Sequence, residues 1–385
     1  MEKKLRYLYL DDNDKVTRDG DVEHLNAYSN KIEIVTDYPG SWAQRTKQIL
    51  NELDCVDGII LDWELTNKSE QAKQETEQDE DVDFSAESLA EHLRINVVKS
   101  GTRDIPIILC SADKNKAFSK IRAHELTSKN LFDLTFIKSD LFDKRIESSE
   151  VKLFDLAMAY NQIQTGNCSI RDILQITEEE IEFLDIRFVD SLDTICKSKT
   201  THDLIYFLLN TLIIKEGILI NERVLAARLG IDIDLSGDEW QKVKQILVNE
   251  AVIFRGILSY GWLNFWAFKL EYWWHNNFPD NELRTTGAKN RVCLLNERFG
   301  IMLIASEKIK FCTSDEFWTV CVGLKKPLDP ANGFMVSDSP KNPWLEEEYV
   351  SGFAELEKSG NELWRINVID RERYLYFKKI ITKEK

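Results

Sequence analysis

The sequence predicts an α/β fold for its N-terminal part, with a doubly wound sheet of five parallel strands, followed by a region that is mainly helical and then α+β. The first observation behind this prediction is that short apolar runs alternate with segments of helical spacing five times over about the first 140 residues. The second is that the run Ile59-Ile60-Leu61 is short, rich in β-branched residues and flanked by Gly58 and charge. Such a run is typical of a strand buried on both faces, and the alternation of strands with helices indicates a parallel sheet.

Five segments of the N-terminal part have the length and composition of strands, and helical segments separate them. The strand segments are LRYLYL (5–10), KIEIVT (31–36), GIIL (58–61), IPIILC (105–110) and LTFIK (134–138). Helices are predicted after Ser41, after Phe84 and from about Ser149. Residues 66–83 are polar and acidic without apolar periodicity, which predicts an insertion between the third strand and its helix. We therefore predict one domain over residues 1–165.

Residues 166–385 form the second predicted region, with a division into a helical part and an α+β part near residues 260–290. Thr177 and Glu180 have the spacing of a capping box, and a helix with an apolar stripe is predicted to follow them. Further helices are predicted for TTHDLIYFLLNTLII, NERVLAARLG and DEWQKVKQILVNE. Beyond about residue 290, the segments VCLLNERFGIMLIAS, EFWTVCVGL and LWRINVIDRERYLYF have strand character. The region has no motif that points to a known fold.

The composition argues against several classes of protein. The 385 residues contain 50 Lys and Arg against 66 Asp and Glu, so the net charge of −16 repels nucleic acid and anionic membranes. The seven cysteines include no C-x-x-C pair, which favours reduced thiols over disulfides or a zinc site. No signal peptide opens the sequence, and charge interrupts its apolar stretches well before the roughly 18 residues of a membrane span. We expect a cytoplasmic protein with neither nucleic acid nor a membrane as its partner.

Polar side chains stand where four of the predicted strands end. Asp11 and Asp12 follow the first strand, Asp62 follows the third, Ser111 follows the fourth and Lys138 ends the fifth. Because the carboxyl ends of parallel strands meet at the edge of the sheet where ligands bind, these side chains should lie together. Three crowded carboxylates repel one another unless they bind a cation, and oxygen ligands favour magnesium. A hydroxyl and an ammonium group beside that cation are suited to holding the oxygens of a phosphoryl group.

The motifs YLYLDDN, DGIILDWEL, IPIILCSA and TFIK resemble those of the receiver domain of two-component response regulators, over about residues 1–150. The resemblance implies a flavodoxin-like sheet and an aspartate that carries a phosphoryl group. In that family an acid pair binds Mg²⁺, and Asp11 and Asp12 occupy its positions here. The aspartate that accepts the phosphoryl group corresponds to Asp62.

The remaining family roles fall on three further residues, and two positions depart from the family pattern. Ser111 and Lys138 correspond to the hydroxyl and the lysine that hold the phosphate, and the backbone carbonyl of Glu64 completes the metal shell. Thr135 stands where the family has an aromatic switch residue, and Ser139 stands where it usually has proline. These departures leave the phosphate chemistry intact but give no prediction of how a signal leaves the domain.

The resemblance implies a signalling protein that accepts a phosphoryl group from a histidine kinase or a phosphotransfer protein. Phosphorylation would control protein–protein contacts of the C-terminal region, with a protein effector as a further partner and no enzymatic activity beyond self-phosphorylation and autodephosphorylation at Asp62. One alternative is a phosphate sink for a histidine kinase, such as occurs in phage-defence operons. Another is an enzyme or a DNA binder that phosphorylation switches. The DNA-binding form of this alternative rests on AARLGI within residues 221–250, which is weakly similar to a helix-turn-helix.

The residues themselves disfavour the DNA-binding interpretation and also a phosphatase interpretation. Acidic residues outnumber basic ones around the helix-turn-helix candidate, so core helices are the preferred interpretation of that segment. Haloacid-dehalogenase-type phosphatases use a similar set of acid, serine and lysine, but their nucleophile stands on the first strand in a D-x-D pattern. Here Asp11 and Asp12 are adjacent, which does not fit that pattern.

Overall fold

The structure, a computed structural model, divides into two compact units. It describes residues 4–53, 55–65, 84–112, 131–142, 147–166, 169–198, 200–336, 342–357 and 364–383. The insertion predicted at 66–83 lies outside the described residues. The first unit comprises Met1–Gln175, Asp190–Asn210 and Gly256–Trp262, and the second comprises Ile176–Val189, Thr211–Arg255 and Leu263–Lys385. The first unit therefore extends beyond residue 166 to Gln175 and also includes two later stretches of the sequence.

The first unit is built around the five-stranded, all-parallel sheet that the sequence predicted. Its strands are Leu5–Leu10 (β1), Ile32–Asp37 (β2), Gly58–Asp62 (β3), Ile107–Ser111 (β4) and Leu134–Ile137 (β5). They pair in the order β2-β1-β3-β4-β5, and every pairing is parallel. This is the strand order of flavodoxin-like folds, whose ligands bind outside the carboxyl ends of the strands. The sheet is compatible with a receiver-like fold.

The central strands are buried because they are apolar along their whole length. Every residue of β3 and β4 is buried, as expected for strands with neighbours on both edges and helices on both faces. Gly58 has to be glycine at the start of β3, since a Cβ atom there would lie 2.2 Å from Cε1 of the Tyr7 ring. One core of the unit lies between β1, β3, β4 and the helices that follow β2 and β3; it includes Leu8, Leu10, Ile49, Ile59, Leu61, Leu89, Leu93, Ile107 and Leu109.

Helices alternate with the strands of the sheet. They are Lys15–Tyr28 (α1), Trp42–Glu52 (α2), Ala86–Ser100 (α3), Lys138–Phe142 (α4) and Glu147–Thr165 (α5). The helices predicted after Ser41 and Phe84 are confirmed. Ser41 is the N-cap of α2, and Ser85 caps α3 in a capping box with Ser88.

The chain beyond residue 166 is mainly helical, with short antiparallel strand pairs. Its helices are Ile170–Leu174 (α6), Glu178–Ile181 (α7), Ile186–Ser198 (α8), Thr201–Leu208 (α9), Glu222–Leu229 (α10), Ile233–Ser236 (α11), Asp238–Asn249 (α12), Ala267–Asn277 (α13), Ala288–Phe299 (α14), Gly352–Glu357 (α15) and Arg371–Lys383 (α16), with a π-helical turn at Leu209–Ile213. Its strand pairs are Leu219–Asn221 (β6) with Asn264–Trp266 (β7), Thr319–Val320 (β8) with Pro327–Leu328 (β9), and Gly333–Met335 (β10) with Tyr349–Ser351 (β11).

The predicted fold class is confirmed, and so are two local predictions. Thr177 and Glu180 form the expected capping box at the start of α7. The helix-turn-helix candidate contributes Trp240, Val243 and Leu247 to the core of the second unit, as predicted for core helices, while the DNA-binding alternative stays a hypothesis. None of the described helices has both the length and the apolar character needed to cross a bilayer.

Three predictions about individual elements are wrong. The helix expected after Thr177 is divided between α7 and α8. The segment VCLLNERF was expected to be a strand but lies in α14, where Val292 and Leu295, three residues apart, are buried on one face. The segment RERYLYF was expected in a hairpin but lies in α16, where Tyr374 and Phe377 pack on Phe334. In the last two cases tertiary packing selects the helical period from a pattern that also suits a strand.

Candidate functional site

Three buried carboxylates meet at the carboxyl edge of the sheet. Asp11 and Asp12 directly follow β1, and Asp62 is the last residue of β3, the neighbour of β1. One carboxylate oxygen from each residue lies within 4.8 Å of those of the other two. The three residues are only 0%, 4% and 6% exposed, respectively. The sequence analysis placed these acids at one edge, and the structure brings them within the reach of a single ion.

Lys138 joins the cluster from the other side of β4. It follows β5 directly and is the first residue of α4. Its Nζ atom lies 2.5 Å from Asp11 Oδ2 and 3.2 Å from Asp62 Oδ2. A single ammonium group therefore pairs with a carboxylate on β3 and with another beyond the end of β1.

The carboxylate oxygens of the cluster differ in how completely they are bonded. The backbone N–H of Asn13 donates to Asp11 Oδ1 at 2.7 Å, and the Tyr9 hydroxyl donates to Asp11 Oδ2. The backbone N–H of Trp63 donates to Asp62 Oδ1 at 3.0 Å. Within the part of the chain that the structure describes, Asp12 Oδ2 is buried and accepts no hydrogen bond. A buried carboxylate oxygen without a partner is costly, and a cation would satisfy it.

Burial and mutual repulsion raise the pKa of two of the carboxyl groups. Burial, together with the charges of Asp11 and Asp62, raises the pKa of Asp12 to about 7. Burial raises the pKa of Asp62 to about 6, although Lys138 opposes this by favouring the ionised form. Burial of Lys138 favours its neutral form, but the Asp62 and Asp11 carboxylates outweigh it and raise the pKa of the ammonium group. A bound divalent cation would relieve the repulsion that remains.

The donor set fits a hard cation. Three carboxylates that converge within 4.8 Å offer only oxygen ligands, which suit Mg²⁺, Ca²⁺ or Mn²⁺ better than softer metals. The cluster could therefore bind a metal ion, and the oxygen of Asp12 that has no partner supports this. The choice of Mg²⁺ among these ions stays a prediction.

The other residues that the sequence analysis selected lie at or near the same edge. Ser111 is the buried last residue of β4, next to β3, and Glu64 lies two residues beyond Asp62. Their roles toward phosphate and metal stay predictions. Thr135 stands in β5 at the position of the family's aromatic switch residue, and its side chain is exposed to solvent.

The sequence analysis missed two side chains at this edge. Tyr9 is completely buried and bonds to Asp11, and burial together with the Asp11 carboxylate raises its pKa, so that it remains a hydroxyl donor. Because alternate residues of a strand share a face, the Y-x-D spacing of Tyr9 and Asp11 was the available signal. Arg18 on α1 is 8% exposed and donates from Nη1 to the backbone carbonyl of Asn13. No sequence pattern identified Arg18, although its contact with Asn13 spans only five residues.

Helix α5 of the first unit contacts both later segments that belong to this unit. The Tyr160 hydroxyl donates to Asp133 Oδ1 at 2.7 Å, and Nδ1 of His202 lies 3.0 Å from the same oxygen. Five residues before Tyr160 on the same helix, Asp155 accepts a hydrogen bond at Oδ2 from the Gly261 N–H at 2.7 Å. A Cβ atom on Gly261 would lie 3.1 Å from the Cα of Lys152, so the segment 256–262 lies directly on the helix.

The site is thus a buried carboxylate triad beside a lysine, at the carboxyl edge of a five-stranded parallel sheet. No protein-family model and no curated protein matches this sequence.

Proposed function

We propose that the first unit accepts a phosphoryl group on Asp62 from a histidine kinase or a phosphotransfer protein, with Mg²⁺ as cofactor. We further propose that the phosphoryl group controls protein–protein contacts of the C-terminal region. The observation that carries the proposal is the convergence of Asp62 with Asp11, Asp12 and Lys138 at the ligand-binding edge of the sheet. A site that only binds a metal ion does not need an ammonium group paired with two of its carboxylates, because the ammonium group competes with the ion for them.

Asp62 is the carboxylate best placed to be the nucleophile. It ends the central strand β3, and its two oxygens are oriented by the Trp63 N–H and by Lys138. Its pKa of about 6 leaves it ionised near neutral pH, so the reaction needs no general base. As an Asp62 oxygen bonds to phosphorus, the P–N bond of a phosphohistidine breaks and the imidazole leaves with the bonding electron pair.

The surrounding residues supply what phosphoryl transfer requires, namely positioning and charge stabilisation. A cation held by Asp11, Asp12, Asp62 and the Glu64 carbonyl would neutralise charge on the transferring oxygens. Lys138 would exchange part of its ion pairing for a phosphoryl oxygen, and the Ser111 hydroxyl would donate to another. Both groups approach from strands on the far side of Asp62 from β1.

The contacts of α5 favour control of an output over a phosphate sink. A sink needs only the acceptor domain. In this chain the segments Asp190–Asn210 and Gly256–Trp262 are part of the first unit and lie on α5 through His202 and Gly261. A change at the acceptor domain could therefore act on chain segments that continue into the rest of the protein.

The test is labelling with a small phosphodonor, acetyl phosphate, in the presence of Mg²⁺, followed by intact-mass measurement. We expect one added phosphate on the wild type that hydroxylamine or alkali removes, because an aspartyl phosphate is an acyl phosphate. Asp62→Asn should carry none. Asp37→Asn is the matched control, since Asp37 also ends a strand of the sheet but pairs with Arg45 outside the cluster. The same added phosphate on Asp62→Asn would disprove the proposal.

A further inference from the structure

Tyr9 is an aromatic residue inside the carboxylate cluster for which the proposed chemistry has no role. It lies on β1 two residues before Asp11 and is completely buried. Its hydroxyl donates to Asp11 Oδ2, the same oxygen that lies 2.5 Å from the Lys138 ammonium group. Lys138 and Tyr9 therefore share one carboxylate oxygen.

The position of the Tyr9 ring is fixed by its neighbours. The ring packs on Phe142 at the end of α4, with 5.3 Å between the ring centroids. Lys138 Nζ lies 6.0 Å from the centre of the Tyr9 ring. A buried ring held against a helix cannot follow a carboxylate that moves, so the hydroxyl fixes the place of the Asp11 oxygen.

Three donors hold the Asp11 carboxylate, and one of them, Lys138, would also contact the phosphoryl group in the proposed reaction. The Asn13 N–H holds Oδ1 at 2.7 Å, while Tyr9 and Lys138 hold Oδ2. When Lys138 turns to a phosphoryl oxygen, Oδ2 keeps only the Tyr9 hydroxyl. Without the Tyr9 hydroxyl, only the hydrogen bond from the Asn13 N–H would then hold the Asp11 carboxylate. This would happen during phosphoryl transfer, when the cation site has to keep its geometry.

We propose that Tyr9 is a positioning residue of the cation site, whose hydroxyl holds Asp11 in the orientation that lets it act together with Asp12 and Asp62 on one divalent ion. This inference rests on the proposed function. Hydrogen-bond partners of metal-binding carboxylates typically contribute about 10- to 100-fold to metal affinity. Tyr9→Phe keeps the ring and removes only the hydroxyl, so we expect it to bind the cation about tenfold more weakly than the wild type.

The experiment measures Mn²⁺ affinity of the full chain by electron paramagnetic resonance, with Mn²⁺ as the probe. Tyr7→Phe is the matched control, because Tyr7 is also a completely buried tyrosine of β1, and its hydroxyl donates to the backbone carbonyl of Leu153 at 2.6 Å, not to the cluster. We expect Tyr7→Phe to bind Mn²⁺ like the wild type. Tyr9→Phe should fold, since Lys138 still satisfies Asp11 Oδ2, and urea unfolding of both variants checks this.

A double-mutant cycle separates positioning from a merely structural role. If the hydroxyl acts through Asp11, Tyr9→Phe should weaken Mn²⁺ binding in the wild-type background but not in Asp11→Asn. Wild-type affinity in Tyr9→Phe, an equal loss in Tyr7→Phe, or an undiminished effect in Asp11→Asn would each overturn the inference while leaving the phosphoacceptor proposal intact. If the wild type itself binds no Mn²⁺, the cation site fails, and both proposals fall with it.

Discussion

Asp62→Asn should stabilise the protein when no divalent cation is bound. Asp62 has 9% of its side chain exposed, and it lies among two other buried carboxylates. The substitution keeps the size of the side chain and removes one negative charge from the cluster. It therefore removes both the cost of burying that charge and its repulsion with Asp11.

The pKa of Asp62 sets the size of the effect. Burial raises this pKa from the ordinary 3.8 to about 6. At pH 8 the group is ionised in both the folded and the unfolded state, and burying the charge then lowers the free energy of unfolding by roughly 3 kcal/mol compared with a protonated group. An amide is a poorer partner for Lys138 than a carboxyl group, which offsets part of the gain. We expect a net increase in the free energy of unfolding of about 1 to 2 kcal/mol.

The gain has a definite dependence on pH. A carboxyl group whose pKa is raised in the folded state contributes stability below its unfolded pKa, and this stability is lost as the pH rises through the folded pKa. For Asp62 the loss falls between about pH 4 and pH 6. Because Asn does not titrate, the variant should be more stable than the wild type at pH 8, and this advantage should disappear below pH 4.

Urea unfolding at pH 8 with a chelator measures the effect. Adding excess Mg²⁺ should narrow or reverse the difference, because the ion binds the wild-type cluster and stabilises its native state. Asp37→Asn, which removes a half-exposed strand-end carboxylate paired with Arg45, should give no gain. A variant less stable than the wild type at pH 8 in chelator, or a gain that does not change with pH, would refute the repulsion on which the cation site depends.

Three further predictions concern the cluster and α5. Asp12→Asn should abolish labelling by acetyl phosphate, because it removes the oxygen of the cluster that has no protein partner, and labelling at the wild-type level would contradict the acid-pair assignment. Beryllofluoride with Mg²⁺ should change hydrogen exchange in α5 of the wild type, and Lys138→Ala should fold but lose this change, since a charged hydrogen bond is worth roughly 1.5 to 3 kcal/mol; an undiminished change in the variant would count against the role of Lys138. Burial raises the pKa of Asp155 to about 6, so its stabilising contribution is lost as the pH rises from about 4 to 6. Asp155→Asn can still accept from Gly261 and should have a higher urea midpoint than the wild type at pH 8 but not at pH 4, and equal midpoints at pH 8 would exclude this account.

The sheet and the acidic edge were predictable because both depend on local patterns. Runs such as Ile59-Ile60-Leu61 are short and rich in β-branched residues, which favours a strand buried between neighbouring strands, and an alternating α/β order leaves few topologies. Once the strands are parallel, their carboxyl ends lie on one edge. The residues at the carboxyl ends of β1, β3 and β5 are therefore brought to the same edge, whatever sequence separates them.

The rest could not be predicted, since it depends on contacts between residues distant in the sequence. The segment RERYLYF is rich enough in aromatic residues for a strand, and the packing of Tyr374 and Phe377 on Phe334 accompanies the helix that it forms. Tyr9 has the composition of an ordinary strand residue, and its role depends on Phe142 and Lys138, more than 120 residues later in the chain. The contact of Gly261 with α5 has no local signal at all.

The path by which phosphorylation could act on α5 does not need the aromatic switch that this chain lacks. Lys138 is both the group that would contact the phosphoryl oxygen and the first residue of α4. Helix α4 is joined to α5 where the Ser149 hydroxyl donates to the backbone carbonyl of Asp140 at 2.9 Å. The same helix α5 carries the contacts to His202 and Gly261. Since Thr135 is exposed, we expect any coupling under the proposed function to act through a displacement of Lys138 along this chain of bonds and not through a rotamer change at Thr135, and Lys138→Ala is the variant that tests it.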